Sequence, residues 1–501
     1  MGFSTLDYFI VVLYLVGIAA FGIIAAGKQK SLNDYFLGGK NIPWWAVCFA
    51  IVATETSTLT FISIPGLAYL TNLNFLQVTF GYLIGRIVVS FVILPVYYKG
   101  EVKTAYTYLS NRFAPKTRNI ASITFMFTRI IADGVRLFAT AIPLAILLKG
   151  WNGISIISNE QIYIISIVTM AAITIIYTYI GGVRAVIWTD VVQMFIYLIG
   201  AIISVIIILG DLPNGFYEVI NIASEKGKLN LINFGLGDSF WNFFLTPYTF
   251  IASVLGGAFL SMASHGTDQL IVQRLLTVRT LRDGQRALIG SGIVVIFQFA
   301  VFLFIGILLY GFYGGQTLTE LNVVKADEIF PKFIIERIPT GVSGLIIAGL
   351  LAAAMSTLSG SINSLASAFM IDIYKPYLNK NLSEKRELSV SRLVTMIYAV
   401  LLIGVAIFFI YSGSKSLVEI ALSVASFTYG GLLGLFLLGI LIKNIVQTDA
   451  LISFFVGIFV MIFVAYNRIG WTWLTFIGCT VTFITGCILC YIRGKFFVKL
   501  T

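Results

Sequence analysis

The sequence is poor in most of what chemistry in water relies on. Of its 501 residues 11% are charged, four are cysteine and one, His265, is histidine. With one histidine, no ligand-rich segment and no nucleophile–base pair, an enzyme reading has little to stand on. Cys48, Cys479, Cys487 and Cys490 lie in apolar surroundings. Cys487 and Cys490 have redox or zinc spacing, but no second ligand pair accompanies them, so they read as small packing residues of a terminal helix. No polar stretch is long enough to house a soluble domain. The net charge of +11 sits in short loops between apolar runs rather than on one polar face, which argues against nucleic acid as a partner.

What is abundant is apolar: 58% of residues are hydrophobic and 46 are glycine. That excess needs a solvent other than water, and glycine suits close helix–helix approach in lipid. The pattern predicts about thirteen spans, at 4–26, 43–70, 75–98, 119–148, 161–180, 184–209, 240–265, 284–313, 341–370, 390–411, 416–442, 450–466 and 471–492. The first is too long for the core of a cleavable signal and reads as a span. One set of alternate loops holds about 22 basic residues, among them Lys28, Arg112, Arg184, Arg279 and Lys499; the other holds about 8, among them Lys149, Lys226, Lys415 and Arg468. The richer side is expected in the cytoplasm. The N-terminus is then outside and the C-terminus inside, which requires an odd number of spans. A cell membrane is implied, and the compact termini favour a bacterial inner membrane. The loops at 210–239 and 314–340 are expected outside, with short helices starting at Thr319-Glu320 and Asp327-Glu328.

Ionisable and polar groups inside spans are costly and therefore informative. The second span carries Ala53-Thr54-Glu55-Thr56-Ser57-Thr58-Leu59-Thr60, with Pro65 after it. Such a face cannot look at lipid. It is either a seam bonded to neighbouring helices or an interruption whose freed carbonyls and hydroxyls line a cavity, and the second reading fits better. In the ninth span Ser356, Ser359 and Asn363 share one helical face, and Ala353, Ser356 and Thr357 share another. Hydroxyl and carbonyl oxygens suit a hard cation such as sodium, although a Ser/Thr face also serves as helix–helix glue. Arg129, Asp133 and Arg136 in the fourth span are placed to pair along one helix, as a structural network or as a gate. Arg86, Asp190, His265 and Asp268 are the other ionisable groups in or at the ends of spans.

Four stretches stand out: Asp34-Tyr35-Phe36-Leu37-Gly38-Gly39, the run from Tyr179-Ile180-Gly181-Gly182 through Trp188-Thr189-Asp190 to Gln193, Thr267-Asp268-Gln269-Leu270-Ile271-Val272-Gln273-Arg274, and residues 352–364 running on to Asp372-Ile373-Tyr374. In this order they resemble the sodium/solute symporter family, which includes sodium/glucose, sodium/proline and sialic acid transporters. The resemblance covers nearly the whole chain. It implies an all-α membrane protein with a leucine-transporter-like core of five plus five helices in inverted repeat. One helix would precede the core (1–42, with its loop), the repeats would be 43–209 and 240–442, and two helices and a tail would follow (450–501). The first helix of each repeat would be broken, the seventh span at Gly256-Gly257 or His265-Gly266.

The resemblance also implies a sodium site made of the carbonyls of Ala53, Thr56 and Ala353 and the hydroxyls of Ser356 and Thr357. A second sodium site would use Asp190, Ser356 and Ser359, but Gly360 stands where members with that site carry a hydroxyl. Solute contacts map to Glu55, Ser57, Thr60, Phe75 and Thr79, and Glu55 would hold ion, solute or proton. The expected function is inward sodium movement coupled by alternating access to uptake of a small polar organic solute: a sugar, sialic acid, organic acid, vitamin or amino acid. No organic cofactor and no obligatory protein partner are expected beyond lipid and solute. A proton-coupled carrier or facilitator of the same fold is the alternative, and a membrane-embedded sensor is a remote one.

Overall fold

The computed structural model describes residues 4–494 apart from 101, 150–156, 213–214, 236–238, 324, 380–382, 412–416 and 468. Of the basic residues used for orientation, Lys380, Lys415, Arg468, Lys495 and Lys499 lie outside the described residues, as does the side chain of Lys149.

The long helices are α1 (Thr5–Ala26), α2 (Trp44–Glu55), α3 (Thr58–Leu70), α4 (Leu76–Val88, continuing to Lys99), α5 (Pro115–Lys149), α6 (Asn159–Gly210), α7 (Phe250–Gly266), α8 (Gln269–Leu275), α9 (Leu281–Phe312), α10 (Val342–Ala368), α11 (Glu384–Tyr411), α12 (Leu417–Leu441), α13 (Gln447–Tyr466) and α14 (Trp471–Ile492). Among the described residues nine helices are long and apolar enough to cross a membrane unaided. The thirteen expected spans differ from that number for physical reasons. The 52-residue α6 holds two spans, α2 and α3 are halves of one, α5 carries three charges in its middle, and α12 is only partly described.

The join within α6 lies at Gly181-Gly182, between the two spans read from sequence. Gly182 has φ 54° and ψ −149°, and a Cβ there would lie 2.2 Å from the Tyr35 carbonyl oxygen. Only glycine tolerates that combination. Tyr35 belongs to the short helix Leu32–Leu37, which a Ser31/Asp34 capping box starts and Gly38 in the left-handed conformation ends. The Tyr35 hydroxyl lies 3.3 Å from the carbonyl oxygens of both Thr178 and Tyr179. Two of the sequence motifs are thus one packing unit.

Helix α10 is the central element. Its most apolar stretch is 94% buried, against 33% for α1, α11 and α14. Its polar face therefore meets protein, not lipid. Glycines let α4 and α7 touch backbone to backbone: a Cβ at Gly81, Gly85 or Gly257 would lie 2.3–2.5 Å from a carbonyl oxygen of the other helix. Gly256 faces the Thr472 carbonyl in the same way. Gly256-Gly257 is therefore a packing feature of a continuous α7, and the seventh span breaks at Thr267-Asp268, directly after His265-Gly266. In the 314–340 loop, Asp327 and Glu328 lie in a short 3-10 turn that runs into the helix Ile329–Arg337, whereas Thr319 and Glu320 form only a turn.

Gly182→Ala should cost about 1–3 kcal/mol from backbone strain alone, with the Tyr35 clash adding to it. A lowered unfolding temperature in detergent checks this, while Gly210→Ala, which meets nothing within 4 Å, should leave that temperature within a degree or two.

Candidate functional site

The second span breaks because its polar residues have partners off the helix. α2 ends at Glu55, Thr56 and Ser57 are extended, and α3 begins at Thr58. A helix end frees the carbonyls of its last turn. One of them, Thr54 O, lies 3.4 Å from the Thr357 hydroxyl of α10, which also reaches Ala353 O at 3.2 Å. The Thr58 hydroxyl donates to Leu350 O at 2.9 Å, so the break is pinned along one face of α10. Pro65 sits inside α3, which continues past it to Leu70.

Ala53, Thr56, Ala353, Ser356 and Thr357 are all buried at this contact. The Thr56 hydroxyl accepts from Gln298 Nε2 of α9 at 2.7 Å, leaving its carbonyl for other partners. The oxygens are uncharged, which suits a monovalent ion that must also leave.

Glu55 is the last residue of α2 and 22% of its side chain is exposed. The fully buried Arg86 of α4 pairs with it through Nη2 and donates from Nη1 to Ser291 of α9 at 2.8 Å. His265 Nε2 of α7 lies 3.7 Å from the same Glu55 oxygen, and its Nδ1 is held near Ser261 O and the Ser264 hydroxyl. The sequence marked all three residues as unusual, but their meeting depends on the fold.

Among the other solute candidates, Ser57 and Thr60 are half-buried at the start of α3. Phe75 stacks on Phe299 at 5.3 Å and meets Tyr248 at 5.5 Å. Thr79 is fully buried and its hydroxyl donates to the Leu76 carbonyl at 2.7 Å.

Asp190 of α6 receives the Ser356 hydroxyl at 2.7 Å and lies 3.4 Å from that of Thr54. Ser359, by contrast, bonds back to Ser356 O at 3.0 Å.

The second break is organised by α8. Asp268 caps it, accepting from Leu270 N at 2.8 Å. The same carboxylate takes Arg129 Nη2 at 2.5 Å and the Tyr429 hydroxyl at 2.5 Å. Arg129 also holds Asp133 at 3.2 Å, Asp133 takes the Ser361 hydroxyl at 2.5 Å, and the one-quarter-exposed Arg136 lies 3.4 Å from Asp133. The pairing within α5 is as the spacing suggests, and Asp268 is its missing partner. Further along α8, Gln273 Nε2 donates to Phe36 O at 2.8 Å and Asn363 at 2.7 Å. Gln298 and Tyr429 carried no signal in the sequence, because a lone Gln or Tyr in an apolar run looks like any other.

Two spans broken beside polar groups of other helices are the pattern of inverted-repeat secondary transporters. The comparisons agree. The model of the sodium:solute symporter family matches residues 35–457. The sodium/sialic acid symporter of Aliivibrio fischeri is 30% identical over 90% of this chain and 86% of its own length. Sodium-coupled monocarboxylate transporter 1 of Homo sapiens is 29% identical over 92% of this chain and 73% of its own. A solved substrate-bound, outward-open structure of a Na+-coupled sialic acid symporter superposes with a TM-score of 0.86 at 27% identity, covering 99% of both chains. The chain belongs to the sodium:solute symporter family, a multi-pass membrane transporter with sodium as its coupling ion.

Arg129→Met leaves the buried Asp268 carboxylate without its counter-charge, while Asp133 keeps Arg136, and should destabilise the protein by about 3–5 kcal/mol. Adding Asp268→Asn should recover part of the loss in a thermal unfolding series, because it removes one unpaired charge.

Proposed function

We propose that this chain carries a small polar organic solute inward with sodium by alternating access, with Ala53, Thr56 and Ala353 carbonyls and Ser356 and Thr357 hydroxyls holding the ion. The observation that carries the reading is the Thr54–Thr357–Ala353 contact across the first break. It joins a helix of the first repeat, taken as 43–209, to one of the second, taken as 240–442. An ion bound there favours the arrangement in which the two repeats are together. Solute binding beside it and ion binding then raise each other's affinity by one factor. Inward passage of the ion adds about 2.3 kcal/mol per 100 mV of membrane potential. The N-terminus is taken as outside and the C-terminus as cytoplasmic, in a bacterial inner membrane.

The solute side is Glu55, Ser57, Thr60, Phe75 and Thr79. Arg86 is buried and committed to Glu55 and Ser291, so what reaches the gap is a carboxylate edge with hydroxyls beside it and an aromatic face. That set favours a donor-rich solute, bearing hydroxyls or an amine, over a bare monocarboxylate. Relatives carry sialic acid or monocarboxylates; both bear a carboxylate, and sialic acid is the better match through its hydroxyls alone.

A thermal-shift screen of sugars, sialic acids, amino acids, monocarboxylates and vitamins, with and without Na+, identifies the solute. Its uptake into proteoliposomes should require an inward sodium gradient, and uptake indifferent to that gradient would sink the proposal. Ser356→Ala with Thr357→Ala should raise the sodium concentration for half-maximal uptake about tenfold or more, about 1.4 kcal/mol per decade. Glu55→Gln should weaken solute affinity more than sodium affinity, read as separate half-saturation values.

A further inference from the structure

Between the start of α2 and the first turns of α9 lies a groove of about 380 Å³, lined by Trp44, Arg282, Gln285, Arg286, Ile289 and Gly290. The two helices approach closely at Gly290, where a Cβ would stand 3.3 Å from Cys48 Sγ and 3.8 Å from the Trp44 ring. Gln285 is fixed on the other side, its Nε2 donating to Ser90 O in the continuation of α4 at 3.0 Å.

Arg282 and Arg286 are four residues apart and share one face of α9. Both are exposed, and no ion pair or hydrogen bond joins either to another described residue. Lys40 and Arg279 are exposed at the same end, where Ile42 N donates to Thr277 O at 3.3 Å and joins their two segments. The carboxylates of those segments are spent on helix caps. Asp34 accepts from the Lys30 and Ser31 amides, each at 3.1 Å, and Asp283 takes the Thr280 hydroxyl at 2.7 Å. This end of the groove therefore carries positive charge that the fold does not compensate.

Farther along α9 the same face turns apolar. Ile289 lines the groove beyond Arg286, and Ile293 and Phe297 continue the face at 59% and 60% exposure. From Arg286 to Ile293 the helix rises about 10 Å. Trp44 and Trp45 are exposed in the first turn of α2, and exposed tryptophans at a span end sit at the level of lipid headgroups. Guanidinium groups bind phosphate oxygens in paired hydrogen bonds, whereas Ile293 and Phe297 suit an acyl chain. An inorganic phosphate would use only the first of these, and a zwitterionic lipid brings its own cation beside its phosphate.

We propose that this groove binds one anionic phospholipid, its phosphate on Arg282 and Arg286 and its acyl chain along Ile289, Ile293 and Phe297. The lipid comes from the leaflet on the side taken above as cytoplasmic. α2 and α9 meet again at the first break, where Gln298 holds the Thr56 hydroxyl at 2.7 Å, so the lipid bridges the other ends of the same two helices. The inference rests on membrane placement and on neither the sodium nor the solute site.

Native mass spectrometry of the purified full-length protein, titrated in detergent with dioleoylphosphatidylglycerol or dioleoylphosphatidylcholine, tests this. One phosphatidylglycerol per chain should be held about tenfold more tightly than phosphatidylcholine, or better. Arg282→Gln with Arg286→Gln should bring the two lipids within about twofold of each other. Lys385→Gln with Arg386→Gln, which removes the same charge from the exposed start of α11, should leave the preference as in the wild type. Glycerophosphoglycerol, the soluble headgroup, should not displace the lipid at about tenfold excess. Equal binding of the two lipids, or a preference that survives loss of both groove arginines, overturns the proposal. An equal loss in the α11 pair assigns the preference to net charge alone, and displacement by the soluble headgroup assigns the groove to a free anion; either result overturns it as well.

Discussion

A backbone group in hydrocarbon must find a hydrogen-bond partner within the protein, and the rest of this structure follows from how that demand is met at Thr56-Ser57. A helix can stop in mid-membrane only where other polar groups take over its freed ends. Here α10 presents Leu350 O, Ala353 O and the Thr357 hydroxyl along one face, and Gln298 holds the Thr56 hydroxyl from another side. This is why α10 is buried on nearly all sides and why its middle is built of small and hydroxylated residues. The break and its backing helix are one device: neither surface is stable against lipid alone.

The second break meets the same demand with charge. α8 is a seven-residue helix whose Asp268, Gln273 and Arg274 reach α5, α10, the Leu32–Leu37 helix and α6 in turn. Buried ion pairs contribute little net stability against apolar substitutes, but a broken one is expensive. Such contacts set which arrangement of helices is allowed rather than how stable it is.

Much of the site was legible before folding because membrane placement makes polarity costly. Glu55, Arg86, Arg129, Asp133, Asp190, His265 and Asp268 stood out by sitting in or beside apolar runs. The run of hydroxyls from Thr54 to Thr60 announced a break without any alignment. What could not be read was who meets whom. Arg86 and His265 both converge on Glu55 from spans far apart in the chain, and Arg129 finds Asp268 across 139 residues. Gly256-Gly257 looked as good a break as His265-Gly266. The two differ only in whether the glycines face a neighbouring backbone, which they do, against Thr472 and Val78.

The sequence by itself determined the solvent, the number and length of spans, and the oxygen chemistry of the ninth one. These depend on side-chain transfer energies and on helical periodicity, both local properties. Only the tertiary structure decided that Arg86 is spent on Glu55 and that the space at Gly360 is filled by Arg274. Those are questions of which atoms share a volume, and a volume is shared by residues from several helices at once.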